Sequence, residues 1–236
     1  MKSSILKLGV LFFIVVLIGA AIRLGTTTPF FSDTETSTNN TLSVADSFDP
    51  NPGDVVINEL MWMGSTKGAS DEWVELRNMT GRTIDIGGWQ ITKWAPAGGG
   101  SEQLMLTIPV GKTIPPNGFF LIAQVPNSDP GTALNVAPDY VTTNIVLHND
   151  NLQVRLFVNN WDSGGLLIDT AGDKSAPLAG EHKTSTPKKF YSMERNSTPG
   201  DGTSGGNWHT ATTSVGFDPG EEVENRGTPK SVNSGP

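Results

Sequence analysis

The sequence predicts an all-β chain, folded as a two-layer antiparallel sandwich and preceded by an N-terminal hydrophobic helix acting as export signal or membrane anchor. Three observations carry this. The chain holds 27 Gly and 16 Pro in 236 residues, about 18% against the roughly 12% of average usage, and such a surplus suits many short strands with frequent turns. Runs of alternating apolar and polar residues recur along it. After residue 25, no segment sustains a helical period with a cap at its start.

The strands can be justified in order. Residues 54–60 form a β-branched run directly after Asn51-Pro52-Gly53, a strand after a turn. In residues 72–78 the period of two puts Val74 and Leu76 on one face and Trp73, Glu75 and Arg77 on the other, as in a strand buried on one side. Residues 83–86 follow, Gly87-Gly88 interrupts, and a strand restarts at Trp89, the expected core aromatic, with Ile91 on the same face. Pro115-Pro116-Asn117-Gly118 is a turn, because Pro fixes φ at one corner and Asn-Gly accepts positive φ. Residues 118–123 are then strongly apolar. Residues 152–158 send Leu152, Val154, Leu156 and Val158 inward, residues 159–165 turn back, and residues 166–169 complete the clearest hairpin. From 177 to 236 apolar residues are few, which predicts loops with edge strands near 191–195 and 208–211.

The amino terminus is of another kind. Residues 8–22 are fifteen consecutive apolar or small residues behind Lys2 and Lys7, the anatomy of an export signal. Such a run spans roughly 22 Å of a hydrocarbon layer about 30 Å thick, so it is short for a settled span unless Lys7 and Arg23 reach outward. The expected organisation is residues 1–29 as signal peptide or membrane anchor, 30–53 as a flexible Ser/Thr/Asn-rich linker, and 54–235 as the sandwich with a loop-rich C-terminal part. The product is expected outside the cell, secreted or held on the outer face of the cytoplasmic membrane, through residues 5–23 where the signal is retained. Phe30-Phe31-Ser32-Asp33-Thr34-Glu35-Thr36 and the Ser, Thr and Asn residues after it resemble the start of the mature part in the TasA/camelysin group of bacterial surface proteins. That resemblance covers about a dozen residues. It implies release by a signal peptidase of the SipW type, with the cut near residues 28–30, and not the fibre-forming function.

Composition removes several chemistries. With no Cys there are no disulfides, thiolate metal sites or cysteine nucleophile. His148, His182 and His209 lie too far apart in sequence for two to share a helix face as zinc ligands. Beyond Lys2, Lys7 and Arg23, 13 basic residues face 24 acids, a net of −11, so nucleic acid is not an expected partner.

Each conspicuous residue has a structural explanation to set against a chemical one. Glu59, Glu72 and Glu75 invite an acid–base pair, but a retaining hydrolase needs carboxyls about 5 Å apart, whereas alternate strand positions lie about 6.6 Å apart. They are expected to lock strand edges by hydrogen bonding, and Asn58 and Asn78 to bond loop backbone. Gly202-Thr203-Ser204-Gly205-Gly206 fits G-x-S-x-G and Gly200 to Gly205 fits G-x-G-x-x-G, yet neither has the preceding strand and following helix its chemistry requires, even with His209 nearby. No cofactor is expected. Calcium is the one ion with candidate oxygen ligands, Asp71 with Glu72, Asp129, Asp150 and Asp162, which lack EF-hand spacing. Lys183, Lys188 and Lys189 beside Phe190 and Tyr191 form the one basic-aromatic cluster, and Trp62, Trp94 and Trp161 are candidates for stacking on sugar if exposed.

Ordered blocks of the body resemble a lamin tail domain of the prokaryotic, secreted kind. They are Val55-Val56-Ile57-Asn58-Glu59-Leu60-Met61-Trp62-Met63-Gly64, Asp71-Glu72-Trp73-Val74-Glu75-Leu76-Arg77-Asn78, Ile84-Asp85-Ile86-Gly87-Gly88-Trp89, Ile114-Pro115-Pro116-Asn117-Gly118, Ser192-Met193-Glu194-Arg195 and Arg226-Gly227-Thr228-Pro229-Lys230-Ser231-Val232-Asn233, with a further match over residues 162–169. The resemblance spans roughly residues 54–235. It implies an immunoglobulin-like sandwich without catalytic, cofactor-binding or metal-binding residues, serving as an interaction or tethering module for a protein or a cell-envelope component. Two other readings stay open from the residues alone. One is a secreted metal-dependent hydrolase or its accessory binding domain; the other is a surface matrix or fibre subunit.

Overall fold

A computed structural model describes residues 49–235. The expected signal or anchor, the linker up to residue 48 and the TasA-like segment lie outside the described residues. Among the described residues, no helix is long and apolar enough to cross a membrane.

Fifteen strands and three short 3-10 turns follow one another. The strands are β1 (Val55–Met61), β2 (Trp73–Asn78), β3 (Ile84–Asp85), β4 (Gln90–Ala95), β5 (Ser101–Thr107), β6 (Thr113–Ile114), β7 (Phe119–Ala123), β8 (Tyr140–Val141), β9 (Leu152–Val158), β10 (Leu166–Ser175), β11 (Glu181–Lys183), β12 (Lys189–Tyr191), β13 (Met193–Arg195), β14 (Trp208–Thr210) and β15 (Asn225–Arg226). A six-stranded sheet runs β14-β13-β1-β2-β7-β8 and a four-stranded one β10-β9-β4-β5, with smaller sheets β11-β12-β15 and β3-β6. Both larger sheets are antiparallel except where β7 meets β8. One buried cluster draws on both, including Ile57, Leu76 and Ile122 of the larger sheet and Ile91, Leu106 and Leu156 of the smaller. This is the all-β layered architecture that the alternation predicts.

The expected β9–β10 hairpin forms, with Leu166 opposite Val158, and β10 runs on to Ser175. At the predicted turn, the Gly118 N–H donates to the Pro115 carbonyl at 2.9 Å and Asn117 takes φ 54°. Trp89 is 3% exposed within the core. Asn78 bonds loop backbone as expected: its fully buried amide donates to the carbonyls of Arg82 (2.6 Å), Ile114 (3.2 Å) and Pro115 (2.9 Å), while its oxygen accepts the Thr80 N–H at 2.8 Å. Asn78→Ala strands these loop groups at once and is expected to lose about 3 kcal/mol in chemical denaturation.

Two expectations about the strands are corrected. The strand at 72–78 is buried on both faces, with Trp73, Glu75 and Asn78 as enclosed as Val74 and Leu76. The larger sheet packs one face on the sandwich core and carries a layer of loop on the other, built from residues near 133–139 and 213–234. Residues 193–195 are not an edge: β13 pairs with β1 on one side and β14 on the other. β5 was not foreseen, because Ser101, Glu102, Gln103 and Thr107 give it no apolar face to read along most of its length.

Candidate functional site

The buried face of the six-stranded sheet under that loop layer holds a cluster of buried polar groups that includes Asn58, Glu59, Glu75, Ser192, Glu194 and Thr228. A bulge at Asn58 shifts the register of β1, so that Glu59 stands opposite Glu75 of β2 on one side and Glu194 of β13 on the other. Residues directly opposite in antiparallel strands have Cβ atoms about 4.5–5.5 Å apart, and like charges there repel. All three glutamates are fully buried. The row exists only because other groups saturate its oxygens.

Those groups come mainly from the C-terminal loop. Glu59 Oε1 accepts the Ser192 hydroxyl at 2.5 Å and the Thr228 N–H at 2.9 Å. Glu75 Oε2 accepts the Lys230 N–H at 2.5 Å and its Oε1 the Asn58 amide at 2.8 Å. Glu194 Oε1 accepts the Thr228 hydroxyl at 2.8 Å, and Oε2 accepts the Ser234 N–H at 2.9 Å and the Ser234 hydroxyl. Asn233 closes the far end, donating to the carbonyls of Asn58 (3.1 Å) and Arg195 (2.8 Å). A Cβ on Gly227 would lie 2.7 Å from Glu59 Oε1, so only glycine lets the loop come this close.

Burial, then the neighbouring Glu194 and Glu75, hold the Glu59 carboxyl well above the ordinary carboxylate range. Burial likewise raises Glu75 to about 8, against the N–H donors of Lys230 and Asn58. Glu72 sits apart from this row. Its Oε2 accepts the Leu147 N–H at 3.1 Å, and burial raises it too to about 8, opposed by that bond and by Lys93.

A pH dependence follows with a definite sign. Between the ordinary 4.5 and about 8, the folded chain holds protons on Glu72 and Glu75 that the unfolded chain has released. Their contribution to stability is therefore full below about pH 4.5 and is lost as pH rises to about 8. The melting temperature is expected to fall from pH 5 to 9, and Glu72→Gln to flatten part of that slope, since its amide oxygen still accepts the Leu147 N–H. A melting temperature that climbs over this range contradicts the assignment.

The remaining candidates do not assemble a reactive centre. Ser204 is exposed, and the His209 ring turns away from it, Nδ1 lying 2.8 Å from Asn196 Oδ1 and Nε2 3.0 Å from Glu194 Oε2. Asp71 is buried and accepts the Thr132 hydroxyl (2.6 Å) and the Ala133 N–H (2.8 Å). Asp129 caps the Gly131 N–H at 2.7 Å, while Asp150 and Asp162 are exposed. Among the described residues, no three His, Asp or Glu side chains are placed to hold a metal ion.

The basic-aromatic cluster is likewise dispersed. Phe190 and Tyr191 are buried, Lys189 pairs with Glu181 at 2.9 Å, and Lys188 lies 3.9 Å from Glu224. Trp62 is buried with its indole N–H on the Ala179 carbonyl at 3.1 Å, Trp161 is half-buried, and the Trp94 ring is covered by the Lys174 ammonium at 4.2 Å. Asn58 departs from expectation: its amide serves Glu75 and Asn233 side chains rather than loop backbone.

Sequence reasoning found Glu59 and Glu75 but missed Ser192, Glu194, His209, Thr228, Lys230, Asn233 and Ser234 as their partners. The available signal was that four of the quoted blocks, over residues 55–64, 71–78, 192–195 and 226–233, each carry a polar residue inside a strand-like or turn-like stretch. All four meet at this row.

The chain is thus a layered β-sandwich that turns its clustered polar groups inward, onto its own loops. The chain belongs to the lamin tail domain family: the family model described as Lamin Tail Domain matches residues 49–175, more than half of its length, and the family is one of interaction domains. No curated protein matches the chain. Glu59 and Glu75 lie inside the matched segment, whereas Glu194 and the donors at Thr228, Lys230 and Ser234 come from beyond it.

Proposed function

We propose that this chain is an exported, non-enzymatic interaction module that binds or tethers a protein or a cell-envelope component at the cell surface. The observation that carries it is the sealed glutamate row. Its carboxyl oxygens are engaged by Ser192, Asn58, Thr228, Lys230 and Ser234, which leaves them as internal structure rather than groups offered to a substrate. The apolar run at residues 8–22 supports export, with residues 5–23 as the anchor where the signal is kept.

The test uses the full chain in its own cell. Protease treatment of intact cells is expected to remove the described domain, and mass spectrometry of the exported form to place its first residue near 28–30. Surface cross-linking, followed by binding of the purified partner, then identifies what it holds. A chain that resists external protease, or a hydrolase activity abolished by Glu75→Gln, would overturn this reading.

A further inference from the structure

We propose that residues 227–234 form a proton-held latch over the six-stranded sheet, closed while Glu59 is a carboxylic acid and released when it becomes a carboxylate. The inference comes from counting hydrogens. The Thr228 hydroxyl has one, and its oxygen lies 3.1 Å from Glu59 Oε2, 2.8 Å from Glu194 Oε1 and 3.4 Å from Asn233 Oδ1. An amide oxygen only accepts, so the hydroxyl oxygen faces two carboxyls with a single hydrogen between them unless one carboxyl brings its own.

Glu194 already accepts from a fixed donor. Its Oε2 takes the Ser234 N–H, which cannot reverse, and the Ser234 hydroxyl, and the Thr212 N–H at 3.0 Å occupies one of that hydroxyl oxygen's two lone pairs. Glu194 also faces His209. The ring's Nε2 lies 3.0 Å from its Oε2.

Across the sheet Glu59 meets only Glu75 and Glu194, and Asp139 adds negative charge beside Glu75. The two nearby cations are committed elsewhere: the Lys230 ammonium reaches Asp139 at 2.8 Å and the Arg195 guanidinium Asp169 at 3.2 Å. Oε1 accepts from Ser192 and is the nearer acceptor of the Thr228 N–H, 2.9 Å against 3.3 Å to Oε2, so the proton belongs on Oε2. From there it is donated to the Thr228 oxygen, and Thr228 passes its own hydrogen to Glu194. The hydrogens of Glu59 and Thr228 then each have an acceptor.

Losing that proton sets two carboxylate oxygens on one hydroxyl in a site without solvent. β1, β2 and β13 are tied to one another by strand ladders, whereas residues 228–234 belong to no strand. The loop is the side that yields.

Hydrogen exchange of the full chain, corrected for intrinsic rates at each pH, tests this. Above the pH at which Glu59 ionises, the amides of Thr228 and Ser234 are expected to lose protection roughly tenfold per pH unit, the slope for one proton, while those of β2 and β7 keep theirs. Glu59→Gln places an N–H where the acid O–H stood and is expected to hold the latch closed with no pH slope. Glu194→Gln sets an amide against fixed donors and is expected to lose latch protection at every pH. Thr228→Val removes the relay, so it too is expected to open the latch without a slope, and it reads the same device if Glu59→Gln does not fold. A slope that persists in Glu59→Gln, or protection kept by Glu194→Gln and lost by Glu59→Gln, would overturn the proposal.

Discussion

Arg195→Ala is expected to cost about 3–5 kcal/mol, the largest loss for any single side chain outside the apolar core, because it breaks a buried ion pair from one side. Arg195 is 1% exposed and holds four groups at once. Its guanidinium lies 3.2 Å from Asp169, its Nε donates to the Pro199 carbonyl at 2.7 Å, its Nη2 to Gly200 at 2.9 Å, and its plane covers the Trp208 ring at 4.6 Å. Asp169 in turn accepts the Ile57 N–H at 2.8 Å, so the guanidinium joins β13, β10, β1 and the loop at 199–202. Burial raises the Asp169 carboxyl more than Arg195 lowers it. Without the guanidinium, that carboxyl is left to take up a proton or draw in water. Arg195→Lys is expected to recover less than half of the loss, since an ammonium cannot fork to a carboxylate and two carbonyls while stacking on an indole. Urea denaturation measures both. A loss below 1 kcal/mol for Arg195→Ala would mean the loop is not held through this residue.

Gly202→Ala is expected to cost about 3 kcal/mol or more, whereas Ser204→Ala two residues on is expected to change stability by under about 0.5 kcal/mol and to change no activity. The contrast inverts what a serine-hydrolase elbow would give. A Cβ on Gly202 would run into the Thr170 carbonyl oxygen and the Arg195 guanidinium, both fixed by partners of their own. The Gly202 carbonyl accepts the Trp208 indole N–H at 2.9 Å and the Gly172 N–H at 3.0 Å, so the backbone has no direction in which to retreat. Glycine stands here for close approach. Thermal melts of the two variants, run beside a hydrolase assay, decide the matter, and activity lost in Ser204→Ala would restore the catalytic reading.

Much of the fold is legible in the sequence where a strand carries its own pattern. β1, β7 and the β9–β10 hairpin have apolar residues that alternate or cluster within one short stretch, and no partner is needed to read them. β13 is the opposite case. Met193-Glu194-Arg195 has two charges in three residues, which reads as surface, yet it lies inside the sheet because groups from other parts of the chain satisfy it. The glutamate row was hidden for a related reason. The spacing of alternate positions along one strand says nothing about neighbours across strands, and the bulge at Asn58, which sets the register, leaves no mark in the sequence. The quoted blocks located the right residues without the reason they belong together, since that reason is a set of hydrogen bonds between segments far apart in the chain.

The Thr228 N–H that satisfies Glu59 comes from a residue 169 positions further along. A fold closed by contacts so distant forms slowly, because the intervening chain must be ordered before the contact repays it. During synthesis the first two strands exist long before their donors do, and a chain cut short before Thr228 has two facing carboxylates and nothing to place between them. Assembly is therefore gated from a distance: the glutamates that anchor the closed sheet keep an open one from settling, and residues 228–234 are the ones that commit β1 and β2.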